Sequence, residues 1–480
     1  MSVPGVETPE VDGGLGAVPA TAGLPLVVIG QCVSGDFNLP QSIARVAEVT
    51  DEFAAGRAAE AAAYELQRYG KPAIVVRATT SVAHSYQSVD TTLFDGTSVP
   101  TADTAVVPND DYRSCYLEFT AGGTIGTGGI KYRESLDGGR TFGPTRALGA
   151  ATFITFADSG GVKVNFAAGT VVTGDILQFR AMTEGMNSDD LSDALDALAA
   201  SSLQRRLVLV TGECDAAMAD VVSAYLDAQH AAGKHEAAIV NFRFPTAGEE
   251  EADYLIAFDA AFGAFANTSM LVGAGVARVG GAIHRRRYHR AVAHPVAARL
   301  VNISEEQDGA NINDGPLPGV SIRDANGNPE DHDESLNPGL DDSRATTLRT
   351  HPGETGVYAN NAKLVSPIGS DFIFSQDRFV INEARTILDA FFRRRLSVPL
   401  ELNPATGFVR ESVLQAMEKE ANSLLAGRLR AKPKVSSVQV TLSRNDPIQI
   451  PPHPLTGECS LVKLGVAKKI TITIGYKATV

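Results

Sequence analysis

The sequence predicts an α/β protein, in which a discontinuous α/β domain is interrupted by a β-rich insertion and followed by a C-terminal α+β domain. Two observations carry this prediction. Short, wholly apolar segments alternate with helical segments in two separate parts of the chain, as in parallel sheets covered on both faces. Between those parts the helical pattern disappears and Ser, Thr, Gly and Val dominate, which is typical of short antiparallel strands. Extended arms are expected at both ends.

Length and charge set the outer limits of the interpretation. A chain of 480 residues predicts about three domains. Its formal net charge of -14 argues against non-specific binding to nucleic acid or insertion into membranes. The uncharged stretch 13–35 is broken by Pro19 and Pro25 and is not preceded by a basic residue, so neither a membrane span nor a signal segment is predicted.

The chain begins with a segment that lacks helical periodicity. Residues 1–24 are rich in Pro, Gly, Ala and Val and are expected to form an extended N-terminal arm. Residues 25–78 then carry a buried strand, a helix that ends at Gly70, and a second buried strand. This is a β-α-β pattern, and it predicts the first part of an α/β core.

Residues 79–187 are predicted to form the inserted β-rich outer domain, with strands near 115–120, 129–134, 152–156, 161–166 and 174–180. Within it, the run from Ser135 to Phe142 (SLDGGRTF) has the pattern of an Asp-box hairpin, a folding device without catalytic meaning. A tag at Asp137-Gly138 is therefore expected to leave any assembly intact, because a variable insertion avoids assembly contacts.

The α/β pattern resumes over 188–303, where apolar segments at 207–210, 237–240 and 270–272 are separated by helices. Both parts, 25–78 and 188–303, are expected to share one largely parallel sheet. Residues 304–342 are rich in Asp, Glu, Asn, Gly and Pro and are expected to form an acidic surface loop.

No stretch predicts catalysis, a cofactor or a metal. Gly273 and Gly275 follow a strand, but Arg278 stands where a dinucleotide fingerprint needs its third glycine. An EF-hand-like loop at 324–330 has Pro329 at the glycine position. The four cysteines lie far apart, so neither a zinc site nor a disulfide framework is indicated. Cys459 is the likeliest to crosslink between subunits after release into oxidising surroundings.

One cluster is basic against this acidic background. Residues 284–290 contain four arginines, two histidines and one tyrosine, which suggests either binding to RNA or phosphate or ion pairs between subunits. Because the chain as a whole is acidic, an inter-subunit ion-pair surface is the more economical interpretation.

Residues 343–468 are predicted to form a C-terminal domain. The last segment, 469–480, alternates strictly, and its apolar face is made of Ile470, Ile472, Ile474 and Tyr476. A strand at a chain terminus has no following hairpin partner. We expect it to act as a linking strand between subunits.

Four segments before it resemble the C-terminal region of contractile-tail sheath proteins, most closely the Mu-like bacteriophage branch. They are 344–349 (RATTLR), 352–358 (PGETGVY), 366–372 (SPIGSDF) and 376–384 (QDRFVINEA). Pro4, Gly5 and Val6 are similar to the family's opening. The resemblance covers about 341–480, agrees in layout over 25–77 and 188–303, and is absent from the insertion. For the C-terminal domain it implies helices at 377–396 and 407–429 and strands at 435–444 and from 468 onward.

The resemblance implies a structural subunit without enzymatic activity. It implies stacked hexameric rings around a tail tube protein, contraction that drives the tube through the host envelope, and contacts with baseplate and tail-terminator proteins. It places the protein in the virion tail, after assembly in the host bacterial cytoplasm. An N-terminal arm and a C-terminal strand would complete a sheet in an adjacent subunit. The alternatives are the sheath of another contractile injection or secretion system, or a soluble α/β enzyme.

Overall fold

The structure is a computed structural model that describes residues 24–157, 159–246, 249–283, 286–322, 331–430, 433–450 and 455–468. It is a mixed α/β fold centred on a six-stranded sheet with the order β16-β15-β14-β1-β3-β2. Only β2 is antiparallel to its neighbour. The first part of the core contains β1 (Leu26–Gly30), β2 (Gln41–Ile43), α1 (Val46–Phe53), α2 (Arg57–Tyr69) and β3 (Ala73–Arg77).

The inserted strands form separate small sheets, of which the largest has the order β4-β13-β6-β8-β9. All five strands predicted in this region are present. Their bounds are β4 (Ser85–Tyr86), β5 (Pro100–Ala102), β6 (Tyr112–Ala121), β7 (Gly123–Thr124), β8 (Lys131–Ser135), β9 (Arg146–Ala147), β10 (Phe153–Thr155), β11 (Lys163–Phe166), β12 (Thr170–Val171) and β13 (Ile176–Met182).

The chain then completes the core sheet and leaves it through short strands. The elements are α3 (Ser188–Ala200), β14 (Leu207–Val210), α4 (Ala216–Ala231), β15 (Ala237–Asn241), α5 (Glu251–Phe262), β16 (Met270–Gly273), β17 (Val276–Gly280), β18 (Arg287–Ala291), α6 (Ala293–Asn302), β19 (Val320–Ser321), β20 (Leu348–Arg349) and β21 (Tyr358–Ala359). The last elements are α7 (Ser375–Arg393), α8 (Glu411–Leu425), β22 (Val435–Leu442) and β23 (Gly457–Lys463).

Two apolar layers hold the core sheet. Side chains of β1 alternate between them: Leu26 and Val28 face α1, α2 and α6, whereas Val27 and Ile29 face α3, α4 and α5. Burial on both faces is why these strands read as continuous apolar runs in the sequence. The α/β prediction is confirmed.

The Asp-box hairpin is also present. Asp137 is fully buried, and its Oδ1 accepts hydrogen bonds from the Ser135 hydroxyl at 2.7 Å and the Thr141 backbone N–H at 2.8 Å. The ring of Phe142 lies 3.9 Å from the Arg133 guanidinium carbon. Because Asp137 is the centre of this turn, the tag position expected from the sequence at Asp137-Gly138 is unsuitable.

The acidic segment after α6 is not simply a solvated loop. It contains a 3₁₀ turn (Ile312–Asp314) and β19, which pairs with β17, and Leu317 and Ile322 are buried in the α/β core. Asp333 is 1% exposed, and its Oδ1 accepts a hydrogen bond from the Thr350 N–H at 3.0 Å. Acidic residues here satisfy backbone donors, which composition alone does not reveal.

The α/β core continues further along the chain than the sequence suggested. Leu348, Ala359 and Leu364 belong to one core layer and Val365 to the other, because β16 forms bridges to Thr346 and Leu364. The part that packs around its own apolar clusters begins at α7. We call residues 375–468 the C-terminal module.

Candidate intersubunit surface

The C-terminal module presents a two-stranded sheet. Strands β22 and β23 pair antiparallel, with Val438 opposite Leu461 and Val440 opposite Cys459. These four side chains lie on the face that packs against α7 and α8. Two strands alone are a marginal sheet in water, so it matters which edges remain open.

The outer edge of β22 is already covered by α8. The Asn422 side chain bonds both backbone groups of Val440: its Oδ1 accepts from the N–H at 2.8 Å, and its Nδ2 donates to the carbonyl at 3.1 Å. Glu418 Oε1 accepts from the Leu442 N–H at 2.6 Å. Hydrogen bonding to Arg444 lowers the pKa of Glu418, so this cover stays charged at neutral pH.

The same contacts identify the open edge. Because the N–H and C=O of Val440 point away from β23, the Val440–Cys459 pair is of the non-hydrogen-bonded kind. The N–H and C=O of Cys459 must therefore point away from β22, and those of Leu461, two residues on, do likewise. No hydrogen bond from another described residue reaches these outward backbone groups. Within the described part of the chain, strand β23 is thus a free edge.

Two apolar grooves flank this edge and meet at Cys459, which lines both. One groove, of about 410 Å³, lies between β23 and the start of α7. The other, of about 530 Å³, lies between β23 and the α7–α8 connection. Their apolar lining includes Phe372, Val380, Ile381, Val435, Leu461 and Val466 in the first, and Leu388, Phe392, Val398, Leu400, Met417 and Leu455 in the second.

A third strand added to β23 would fit this geometry. Its backbone would pair with Cys459 and Leu461, and its inward side chains would lie in the two grooves over α7. Burial raises the pKa of the Cys459 thiol, so it is a protonated, half-buried side chain beneath such a strand. The surface is an incomplete sheet with an apolar floor.

The side chains predicted from sequence to link subunits lie outside the described residues. This holds for Ile470, Ile472, Ile474 and Tyr476 at one end and for Pro4, Gly5 and Val6 at the other. The described chain ends at Lys468, whose ammonium nitrogen lies 2.8 Å from Asn361 Oδ1 and 4.2 Å from the Phe374 ring centre. The described chain therefore ends beside the start of α7.

Sequence reasoning missed the acceptor side of this surface. After β22 we expect from the sequence a strand only from 468 onward, as a link between subunits, whereas the structure has β23 at 457–463 as the hairpin partner of β22. The alternation of Cys459 and Leu461 with Glu458 and Ser460 was the available signal, but the segment is short and mostly polar. Nothing in the sequence indicated that Asn422 would block the other edge, because that contact joins a helix to a strand 18 residues later.

The crevice where α/β folds commonly bind ligands is filled in this protein. Strand order reverses between β1 and β14, and the carboxyl ends there would form a ligand crevice. Arg57 instead makes a bidentate ion pair with Asp111 of the insertion, with Nε at 2.6 Å and Nη2 at 2.7 Å from its carboxylate. The remaining cavity is about 30 Å³. The crevice anchors the inserted domain.

The basic cluster contributes to the same anchor. Arg290 is buried, and its Nη2 lies 2.5 Å from Asp110 Oδ2 of the insertion, although burial raises the pKa of Asp110 to about 7. The inter-subunit interpretation is thus wrong for Arg290. The ion pair is intramolecular because β18 folds back on β17 and faces the inserted strands.

The described residues form neither a metal-binding cluster nor a membrane-spanning helix. They contain no group of three or more His, Cys, Asp or Glu side chains placed to hold a metal ion. No helix within the described ranges is long and apolar enough to cross a membrane.

Charge is divided unevenly along the chain. Residues 375–468 carry 14 Lys and Arg against nine Asp and Glu, whereas residues 1–374 carry 26 against 47. The module lies at the amino edge of the core sheet, because Asp389 of α7 contacts His235, two residues before β15. The insertion contacts the carboxyl edge through Arg57. A basic module and an inserted domain thus occupy opposite edges of the sheet.

Comparison with known proteins agrees with this architecture. Residues 3–363 match the family described as DUF2586, N-terminal domain, and the chain belongs to that family. No curated protein matches the sequence.

Solved structures are similar over nearly the whole chain. The sheath of the extracellular contractile injection system PVC, in its contracted state, aligns with a TM-score of 0.54 at 10% identity over 99% of this chain and 98% of that chain. The contracted helical sheath of the anti-feeding prophage gives 0.52 at 11% identity over 99% of both chains. A chain of that particle's sixfold-symmetrised baseplate gives 0.53 at 11% identity over 100% of both. The fold is that of contractile sheath proteins.

Proposed function

We propose that this protein is the structural subunit of a contractile sheath, which polymerises as stacked hexameric rings around a tail tube and contracts to drive the tube through an envelope. The full-length likeness to contracted sheaths carries the proposal. The free edge of β23 supports it, because a polymer needs a surface that the monomer leaves incomplete.

Strand addition supplies the link between subunits. Residues 469–480 of one copy pair with β23 of another, with Ile470, Ile472, Ile474 and Tyr476 facing the grooves. The arm that includes Pro4, Gly5 and Val6 links a further neighbour. Each buried apolar side chain contributes roughly 1.5–3 kcal/mol, and each ladder hydrogen bond about 1 kcal/mol. Repetition around every ring multiplies these contributions.

The division of charge indicates which surface faces the tube. The basic C-terminal module points inward to an acidic tube surface, and the inserted domain points outward. Baseplate and tail-terminator proteins contact the ends of the polymer. No nucleotide takes part, since contraction releases energy held in the extended packing of subunits.

Two assignments of the particle remain in competition. The Mu-like phage branch rests on the C-terminal sequence motifs, and it places the protein in a virion tail assembled in the bacterial cytoplasm. The likeness to the PVC and anti-feeding prophage sheaths favours an extracellular injection particle instead. Flanking capsid and terminase genes distinguish the first from the second.

Negative-stain microscopy of the purified protein tests the proposal. A sheath subunit is expected to give tubes of uniform width, and co-expression with the tube protein should give longer, regular ones. Discrete particles under all assembly conditions would favour the soluble-enzyme alternative.

An epitope tag tests the outward placement of the insertion. We expect a tag between Thr127 and Gly128 to leave both folding and tube formation intact. This connection lies between β7 and β8, and a side-chain carbon added at Gly126, Gly128 or Gly129 would meet no heavy atom within 4 Å. Tubes should bind the tag antibody along their outer surface. Folded monomers that do not assemble would contradict the outward placement.

Cys459 reports directly on strand addition. The other three cysteines are buried, so maleimide should label Cys459 alone in the unassembled protein. In tubes, the added strand should protect it at least tenfold in rate. Equal labelling in both forms would show that β23 stays open. The Cys459 crosslink expected from sequence stays a prediction, checked by non-reducing gels of released particles.

A further inference from the structure

The contact between the C-terminal module and the α/β core is polar and contains two histidines. At the end of α4, His230 contacts Arg378 of α7, and His235 contacts Asp389 of the same helix. We call these four side chains the α4–α7 joint. The module keeps apolar clusters of its own, whereas Phe379 is the residue of α7 that is buried in the core layer. The joint thus connects two separately packed bodies.

His230 is held as a neutral imidazole. Its Nε2 lies 2.8 Å from the Glu236 carbonyl oxygen. A carbonyl only accepts, so Nε2 carries the proton of the neutral ring and Nδ1 carries none. Arg378 Nη2 lies 2.9 Å from Nδ1 and 3.4 Å from Nε2, so the guanidinium lies over the face of the ring. A proton added at Nδ1 would place two cations in contact.

The surroundings of His235 also favour the neutral form of its imidazole. Its Nε2 donates to Asp389 Oδ2 at 2.7 Å. Its Nδ1 is buried, and no hydrogen-bond partner exists for it among the described residues. Protonation would therefore create a buried N–H without an acceptor, which is costly. Asp389 partly offsets this cost.

Other charges that face the two rings are few. From α7 they are Arg378, Arg385 and Asp389, and each histidine also faces the other. From the core, the nearby carboxylate is Asp227, which faces Arg378. Cations outnumber carboxylates on the α7 side of the joint.

We propose that the α4–α7 joint is an acid-sensitive latch: protonation of His230 and His235 releases the C-terminal module from the α/β core while both bodies remain folded. In each histidine the proton binds at Nδ1, and no other covalent bond is made or broken. Release would free α7 to change its angle to the core. The release itself does not depend on assembly.

The pH range follows from linkage. Burial, and then the neighbouring arginines, lower the pKa of His230 to about 4, and burial lowers that of His235. Released histidines titrate near 6.5. Docking therefore has its full strength above about pH 6.5 and weakens as the pH falls toward 4. For His230 alone, the docking constant falls about 20-fold between pH 7 and 5, and His235 adds to the fall.

Hydroxyl-radical footprinting of the unassembled full-length chain tests the proposal. Phe379 is 3% exposed, and its ring centre lies 4.3 Å from the Arg206 guanidinium carbon. Release of the module therefore exposes the Phe379 ring. We expect its oxidation rate to rise at least fivefold between pH 7 and 5. Phe258 in the core layer and Phe391 in the module's own cluster should not change. A parallel rise at Phe258 or Phe391 would mean acid unfolding and would overturn the proposal.

Matched variants separate the histidines from acidic groups nearby. The double variant His230→Gln/His235→Gln keeps neutral hydrogen-bonding side chains and should stay docked at pH 5. The variant His84→Gln, in the inserted domain, should respond as the unmodified chain does. The Lys434 ammonium nitrogen lies 2.6 Å from Oε2 of Glu305, which follows α6 of the core, and 2.7 Å from Oε2 of Glu383 in α7. This lysine therefore also joins the module to the core. If Phe379 oxidation rises between pH 7 and 5 in the double variant as it does in the unmodified chain, the release depends on these carboxylates and not on the two histidines.

Discussion

Removing residues 469–480 should leave a folded, soluble monomer that no longer forms tubes. The described core layers and the module's clusters are built from residues outside this segment, so we expect the unfolding transition to be nearly unchanged. The measurement is negative-stain microscopy combined with circular dichroism on the same preparation. In sedimentation, the truncated protein should remain monomeric at concentrations at which we expect the full chain to pellet as polymer.

Two point variants distinguish the faces of the segment. Ile472→Lys places a charge on the apolar face and should abolish tubes, since burying an unpaired charge opposes docking strongly. Thr471→Lys, on the opposite face, should have little effect. An insoluble truncated protein would mean that the strand belongs to the subunit's own core. Equal defects from the two lysine variants would show that the alternation has been misread.

Cys459→Pro should abolish assembly from the acceptor side while leaving the subunit folded. Proline removes the backbone N–H that points outward from β23, and this N–H takes no part in pairing with β22. The ladder within the hairpin is therefore kept, and the melting temperature should fall by less than about 3 °C. Tube yield should drop below detection, because every copy loses its docking edge.

Ser460→Pro is the matched control. Ser460 lies opposite Gln439 in a hydrogen-bonded pair, so proline there breaks the hairpin itself at a cost of about 1–3 kcal/mol. We expect a visibly lower melting temperature in calorimetry. If Cys459→Pro destabilised the monomer as much as Ser460→Pro, the assignment of outward and inward groups on β23 would be wrong. Normal tubes from Cys459→Pro would show that subunits join elsewhere.

The sequence pattern predicted those structural features whose physical cause lies in residues close together along the chain. Buried parallel strands must be apolar on both faces, so the apolar segments around Val28 and Val208 predicted the sheet. The Asp-box is defined by side chains within five residues of Asp137. On α8, Leu414, Met417, Ala421 and Leu425 are buried, because residues three and four positions apart lie on one face of a helix.

Contacts between distant residues were decided only by the tertiary structure. The sequence alone determined the class of fold and the interrupted α/β core, and it carries an alternating apolar pattern at the chain end. It did not determine that Asn422 covers one edge of the hairpin, that Arg290 points inward to Asp110, or that His230 meets Arg378. Each of these contacts depends on where a whole element lies, and burial of the apolar layers sets that position. Polar side chains then pair with whatever the packing has brought within reach, so their roles follow from the fold and not from their own spacing.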